Sequence, residues 1–257
     1  MIVTTDAVVL KSMKYRETSR IVTLYSREFG KFPVIAKGAR ERNSRFGSSL
    51  NGMCRVSAVV YRKETRELQL LSQCDLIDSF RHISEDMERL AAGMAVVELM
   101  DVVTHAEEEN APLFRLLVQT LETINTVPKN VVNALYAFEV RLLDILGFRP
   151  NFRTCFHCGA LINEDSVGTS GAEVIAGRGG ILCSQCSSRG PGRETVSAGA
   201  AKILQHLQEA SDLASVTRIT MSVPMKNEVA ATVRRCLQSH IEGFRPLKSE
   251  NMFLLIQ

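Results

Sequence analysis

Cys155 and Cys158 form one Cys-x-x-Cys pair, and Cys183 and Cys186 form another, with 24 residues between the pairs. Two intervening residues let both thiolates of a turn reach one tetrahedral ion, and two such turns brought together close the site. The spacer is slightly longer than in most zinc ribbons, but it is rich in Gly and Ser, so the excess can be absorbed as a loop. Four thiolates fill the coordination sphere and leave no position for water or substrate. The expected cofactor is therefore a structural Zn2+, with an iron–sulfur cluster as the minor alternative. His157 sits inside the first pair and is a poorer ligand than the four thiols. The chain holds seven cysteines and its N-terminus, MIVTTDAVVLK, has no basic start followed by an apolar run. That combination predicts thiols or metal ligands in a reducing compartment, not disulfides. Cys54, Cys74 and Cys236 are expected to be small buried residues.

Other chemistries find little support. His105-Ala106-Glu107 stands upstream of Cys155 and Cys158, in the order that zinc deaminases use. However, Thr154 and not proline precedes the first cysteine, and that reading leaves Cys183 and Cys186 unexplained. There is no Gly-x-Ser-x-Gly, no Walker-type Gly-Lys-Ser and no His-Glu-x-x-His. The expectation is a protein that is not an enzyme and has no catalytic residue.

The second chemistry is electrostatic. The net charge of +3 conceals +7 over residues 1–81, −6 over 82–150 and +2 over 151–257. A basic N-terminal third points to a polyanion partner. Its densest stretch is KGARERNSRFGSSLNG, residues 37–52, with Lys37, Arg40, Arg42 and Arg45 beside Phe46. Guanidinium groups bind phosphate in a bidentate manner and an aromatic face can stack a base. Lys11, Lys14, Arg16, Arg20, Arg62, Lys63 and Arg66 come from the same third. The candidate DNA-binding set is Lys14, Arg16, Arg20, Lys37, Arg40, Arg42, Arg45, Arg62, Lys63 and Arg66.

These residues must be held by particular elements. IVTTDAVVLKSMKY, SRIVTLYS, KFPVIAKG, CRVSAVVYRK and RELQLLSQCDLIDSF read as five short β-branched strands, separated by turns such as Glu64-Thr65-Arg66. Five strands in about 80 residues close best into a small barrel. An oligonucleotide/oligosaccharide-binding (OB) barrel is the natural candidate and an SH3-like barrel the alternative. From Ser84, a candidate N-cap, the texture is helical, with Met87, Leu90, Ala91 and Met94 at helical spacing. A second helix begins near Pro112, with Leu113, Leu116, Leu117, Leu121 and Ile124 on one side. A third begins near Val131, with Leu135, Phe138, Leu142 and Ile145, and stops at Gly147. VSAGAAKILQHLQEA and roughly Met225–Ile241 are helical too, the latter between Pro224 and Gly243. No apolar stretch is long enough to span a membrane.

The order of basic barrel, helices, four cysteines and further helices resembles the RecO family of bacterial recombination mediators. The resemblance rests on KGARERNSRFGSSL, on LLDILGFRPNFRTCFHCG leading into the first cysteine pair, and on GFRPLKSENMF near the C-terminus. Glu41 interrupts the basic run of the first motif. The resemblance implies an α+β multidomain protein: an N-terminal OB-type β-barrel, then a helical domain carrying a four-cysteine zinc-ribbon-like site. The expected boundaries are 1–81 for the DNA-binding barrel, 82–150 and 191–257 for the two parts of the helical domain, and 151–190 for the zinc-binding insertion. It also implies binding of single- and double-stranded DNA, annealing of complementary strands, and work with RecR. The protein would assist RecA loading on DNA coated with single-strand DNA-binding protein, and would recognise that protein's acidic, apolar-ended tail. Arg115 or Arg141 beside helical leucines could supply the cation of the tail pocket. The expected location is cytoplasmic and nucleoid-associated. A zinc-ribbon transcription regulator reading one duplex sequence is the competing function. It would need basic residues near the cysteines, where Arg178, Arg189 and Arg193 stand. A structural adaptor with no DNA contact is the third reading.

Overall fold

The computed structural model describes residues 1–63, 65–187, 194–242, 244, 247 and 249. Glu64, Arg189, Arg193, Gly243 and most of the GFRPLKSENMF motif lie outside the described residues. The chain forms two compact units, one of Met1–Thr126 with the stretch from Leu247, the other of Val127–Pro246.

The first unit opens with five strands: β1 (Ile2–Tyr15), β2 (Ser19–Ser26), β3 (Gly30–Ala36), β4 (Arg55–Tyr61) and β5 (Gln69–Asp78). Along β3, buried Phe32, Val34 and Ala36 alternate with half-buried Lys31, Pro33 and Ile35, the period-2 signature of a sheet with one covered face. β1 is long enough to serve two partners. Its first half pairs with β4 and its second half with β2, and the register shifts between Val9 and Lys11. A bulge at that point bends the strand around the barrel. β3 and β5 then meet in parallel at Val34/Gln69 and Ile35/Leu70, closing the order β1-β2-β3-β5-β4. This is the OB arrangement, a partly open barrel whose short parallel seam distinguishes it from an SH3-like one.

Residues 37–52 plug the barrel. Successive turns are held by Glu41 N to Gly38 O, Ser44 N to Glu41 O, Ser49 N to Phe46 O and Asn51 N to Ser48 O. They deliver Phe46 and Leu50 into the same core as Val22, Val34, Val56 and Leu71. Phe46 is only 3% exposed. The expectation that its ring faces out to stack a base is therefore corrected: in a polar loop, the one large apolar ring gains more by filling the open end of the barrel.

Helices α1 (Met87–Val103) and α2 (Ala111–Thr126) complete this unit. Asp86, and not Ser84, caps α1 by accepting from Arg89 N, while Ser84 Oγ donates to Arg81 O in a preceding 3-10 turn. Met87 and Met94 are exposed, because α1 buries the alanine-rich side of Ala91, Ala92 and Ala95. The leucine stripe of α2 is buried as its spacing predicts. Lys31 Nζ reaches Asp101 O near the end of α1 at 2.6 Å, Tyr25 and Phe114 rings lie 6.3 Å apart, and Arg55 bridges Asp6 and Glu122.

The second unit holds α3 (Val131–Ile145), the strands β6 (Asn151–Cys155), β7 (Ala172–Ile175), β8 (Gly180–Leu182) and β9 (Thr195–Val196), and helices α4 (Glu164–Val167), α5 (Ala198–Glu209), α6 (Leu213–Val216) and α7 (Val223–His240). The strands form one sheet in the order β6-β8-β7-β9. Asn133 on α3 donates to Val216 O and Ile219 O, both at 2.9 Å, and so ties α6 to α3.

Candidate nucleic-acid interface and metal centre

The β1–β2 turn and the 37–52 loop are joined by one side chain. Arg40 Nη1 donates to Arg16 O at 2.8 Å and to Glu17 O at 2.9 Å, and its backbone N–H donates to Thr18 O. Lys14 and Arg20 are direct cross-strand partners, Arg20 stands opposite Ala36, and Lys37 follows it. Lys14, Arg16, Arg20, Lys37, Arg40, Arg42 and Arg45 thus gather at one end of the barrel. Arg40 spends its guanidinium on backbone carbonyls and holds the cluster together. Arg45 lies over the Phe46 ring, 5.1 Å from its centre.

The other three candidates sit on the β4–β5 loop. Buried Gln69 accepts from Lys63 N and donates to Lys63 O and Arg66 O, which fixes the loop backbone and leaves both basic side chains exposed. Arg62 is different. It pairs with Glu107 at 3.0 Å, lies 4.4 Å over the Phe29 ring, and has 16% of its side chain exposed. A guanidinium stacked and paired in this way is a structural strut, and phosphate binding by it would have to break the pair.

Between these two basic groups runs a row that the sequence reading missed. Met13 pairs with Ile21, Ile21 with Ile35, Ile35 with Leu70, and Leu70 with Tyr61. Cross-strand partners share a face. These five alternate with the inward Val22, Val34, Val60 and Leu71, so the row lies on the outside of the barrel, with Met13 and Tyr61 exposed. It begins one residue from Lys14 and ends one residue from Arg62. The available signal was apolar residues at both parities of the same strands, where a half-buried sheet needs only one.

In the second unit the two cysteine pairs converge. The four sulfur atoms of Cys155, Cys158, Cys183 and Cys186 all lie within 4.8 Å of one another, with Cys158 and Cys183 at 3.8 Å. Four thiolates at about 2.3 Å from a tetrahedral ion stand about 3.8 Å apart, so the donor set and spacing fit a metal ion. The β6–β8 pairing brings the two turns side by side: Phe156 N donates to Ile181 O, and Cys183 N to Cys155 Sγ at 3.4 Å. Burial opposes ionisation of Cys155. Backbone hydrogen bonds from Cys158, Cys183 and His157 outweigh it and bring the thiol down to about 6. Cys186 is pushed up to about 12 by hydrogen bonding with Cys158, then by burial. A lowered Cys155 thiol favours the thiolate form that a cation would bind. Cys54, Cys74 and Cys236 are buried elsewhere.

A model of the N-terminal part of recombination protein O matches residues 1–80, and a model of its C-terminal part matches residues 84–250. The chain belongs to the RecO family. A DNA repair protein RecO of Salinibacter ruber is 32% identical, covering 100% of this chain and 95% of that protein. One of Symbiobacterium thermophilum is 31% identical over 92% and 89%, and one of Chloroherpeton thalassium 30% over 98% and 98%. In RecO terms the break between the two models falls in the 3-10 turn before α1. The compact units instead divide after α2, so α1 and α2 belong with the barrel.

Arg141, one of the two candidate tail cations, donates to Leu207 O at 3.1 Å and also to Ala210 O, closing the end of α5. Burial pushes its pKa below the usual arginine value. Arg115 is exposed on α2. Among the described residues no helix is long and apolar enough to cross a membrane.

Proposed function

We propose that this chain is a recombination mediator in DNA repair, working by binding and without bond chemistry. It binds single- and double-stranded DNA through the barrel, anneals complementary strands, and with RecR assists RecA loading on DNA coated with single-strand DNA-binding protein. The observation that carries this reading is the gathering of Lys14, Arg16, Arg20, Lys37, Arg42 and Arg45 at one barrel end by the Arg40 tether. Phosphates sit on these cations, and unstacked bases lie along the apolar row toward Tyr61, with Lys63 and Arg66 beyond. Annealing follows from neutralising the backbones of two strands while their bases stay free to pair. The four cysteines hold Zn2+ as a structural ion, closing the small sheet of the second unit. Arg115 supplies the cation for the acidic tail of the single-strand DNA-binding protein. The protein acts in the cytoplasm, at the nucleoid. Basic residues concentrated on the barrel favour backbone binding over a sequence-reading regulator built on the cysteine loop.

The test is annealing of two complementary oligonucleotides coated with single-strand DNA-binding protein. Acceleration that fades with salt is expected; with about five phosphates neutralised, the slope of log K against log salt for a single strand is about −3.5. No acceleration by intact protein would overturn the reading.

A further inference from the structure

The LLDILGFRPNFRTCFHCG motif carries two exposed aromatic rings, Phe148 before the cysteine site and Phe156 within its first pair, and neither the sulfur quartet nor the barrel accounts for them. Gly147, at φ 87°, ends α3 and lets Phe148 N bond back to Leu143 O, which brings the Phe148 ring out to 40% exposure. That ring stacks on His240 of α7, with centres 4.7 Å apart and planes at 17°. His240 Nε2 lies 3.0 Å from Ala176 O and so holds the 3-10 turn Ala176–Arg178. From the same turn Arg178 reaches over the Phe156 ring, 5.9 Å from its centre. Phe156 is 48% exposed and packs against β8, where a side-chain carbon at Gly180 would stand 3.3 Å from the ring. Arg149, exposed, follows Phe148, its only ion pair among the described residues being a 3.7 Å contact with Asp144.

We propose that this surface of the second unit binds a strand of single-stranded nucleic acid. Phe148 and Phe156 stack bases, and Arg149 and Arg178 take the flanking phosphates. The physical case is the combination. Leaving two large rings in water costs apolar burial, and each ring is held from one side, Phe148 by the stacked His240 and Phe156 by its packing against β8. An exposed ring with a guanidinium beside it matches a base and its phosphate; an acidic peptide with one apolar end is the competing occupant, and two rings each with its own guanidinium fit the repeat of base and phosphate better. The proposal rests on reading the chain as an annealing protein, whose substrate is two strands: the barrel end takes one and this surface the other.

The experiment counts short oligonucleotides per protein chain by native mass spectrometry, using non-complementary strands of about eight nucleotides, within the span of one barrel-sized site. The full-length zinc-loaded protein is expected to bind two. The variant Phe148→Leu/Phe156→Leu, which keeps apolar bulk and loses the flat faces, is expected to bind one and to anneal about tenfold more slowly. Arg149→Ala/Arg178→Ala should behave alike, and Phe156→Tyr should restore the second strand. Phe156→Leu alone, away from the His240 stack, serves if the double variant unfolds. One strand on the wild-type protein, lost on charge reversal of Arg42 and Arg45, would overturn this inference and leave the barrel reading standing. Two strands retained by Phe156→Leu, or displacement of the second strand by an acidic peptide with an apolar end, would also overturn it. No strand bound at all would overturn the barrel reading first.

Discussion

The barrel and the four-cysteine sheet are both small β structures, and they are closed by different means. The barrel encloses an apolar core of its own, sealed at one end by Phe46 and Leu50 from the 37–52 loop. The cysteine sheet has strands of two to five residues and few fully buried side chains, among them Phe152, Ala172, Ile181 and Val196. So little apolar area does not offset the ordering of some forty residues, and on the zinc reading proposed above an ion on the sulfur quartet supplies the rest. A structure closed by core packing degrades by degrees when it is altered. On the zinc reading, the cysteine sheet fails all at once when the ion is lost.

The largest effect should therefore come from the metal. Structural zinc contributes on the order of 10 kcal/mol or more to the folding of the segment around it. Cys155→Ser/Cys183→Ser, or a strong chelator, is expected to open residues 151–196 to protease while the strands of the barrel stay protected. Limited proteolysis with mass mapping checks this; equal loss of both regions would remove the distinction. Zinc retention also depends on pH. Each ligand binds as thiolate and binding releases protons, so affinity falls as pH falls. Metal content measured over a pH series should fall toward acid, and content independent of pH would argue against thiolate ligation.

The next effect tests the packing side. Phe46→Ala removes a fully buried ring from the barrel end and should cost about 3–5 kcal/mol. Urea unfolding of the full chain, followed on the barrel, reads this directly. A cost under about 1 kcal/mol would mean that the loop does not seal the core. DNA affinity should fall with it, because the same turns carry Arg42 and Arg45.

How far these contrasts could be read in advance depends on what encodes them. The five strands are legible because each alternates apolar and polar residues or runs β-branched between turns, and α2 is legible because its leucines recur at helical spacing. The cysteine quartet is legible from spacing alone, since metal geometry constrains sequence tightly. The β3–β5 seam is not legible, because a parallel contact two residues long leaves no local pattern. Phe46 misleads for a related reason. Its neighbours in sequence are polar, and its neighbours in space come from distant strands. Ser84 and Asp86 are equally good caps by type, and only the 3-10 turn that occupies Ser84 decides between them. β7 and β9 are too short to stand out in a Gly- and Ser-rich stretch.

On the barrel surface the contrast becomes one between cations that bind and cations that brace. Arg42→Glu/Arg45→Glu is expected to weaken single-strand binding at least tenfold at low salt, across sequences alike. It should flatten the salt slope by about 1.4 as two contacts are lost. Fluorescence anisotropy over a salt series measures both. An unchanged slope would take the 37–52 loop out of the interface.

The smallest effect is the most discriminating. Arg62 has the same charge as Arg42 and belongs to the same basic N-terminal third, but its guanidinium is held by Glu107 and by the ring of Phe29. Its side chain is mostly buried, so the ion pair and the stacking act together in a partly desolvated site, worth about 1–2 kcal/mol. Arg62→Ala should lower stability by about that much and leave DNA affinity within about twofold at matched fraction folded. Arg62→Lys keeps the charge but loses the flat stacking group, so it should recover little of the stability. If Arg62→Lys instead restored DNA binding lost in Arg62→Ala, the arginine would be acting as a charge toward phosphate. The division between binding and bracing cations would then have to be redrawn around the β4–β5 loop.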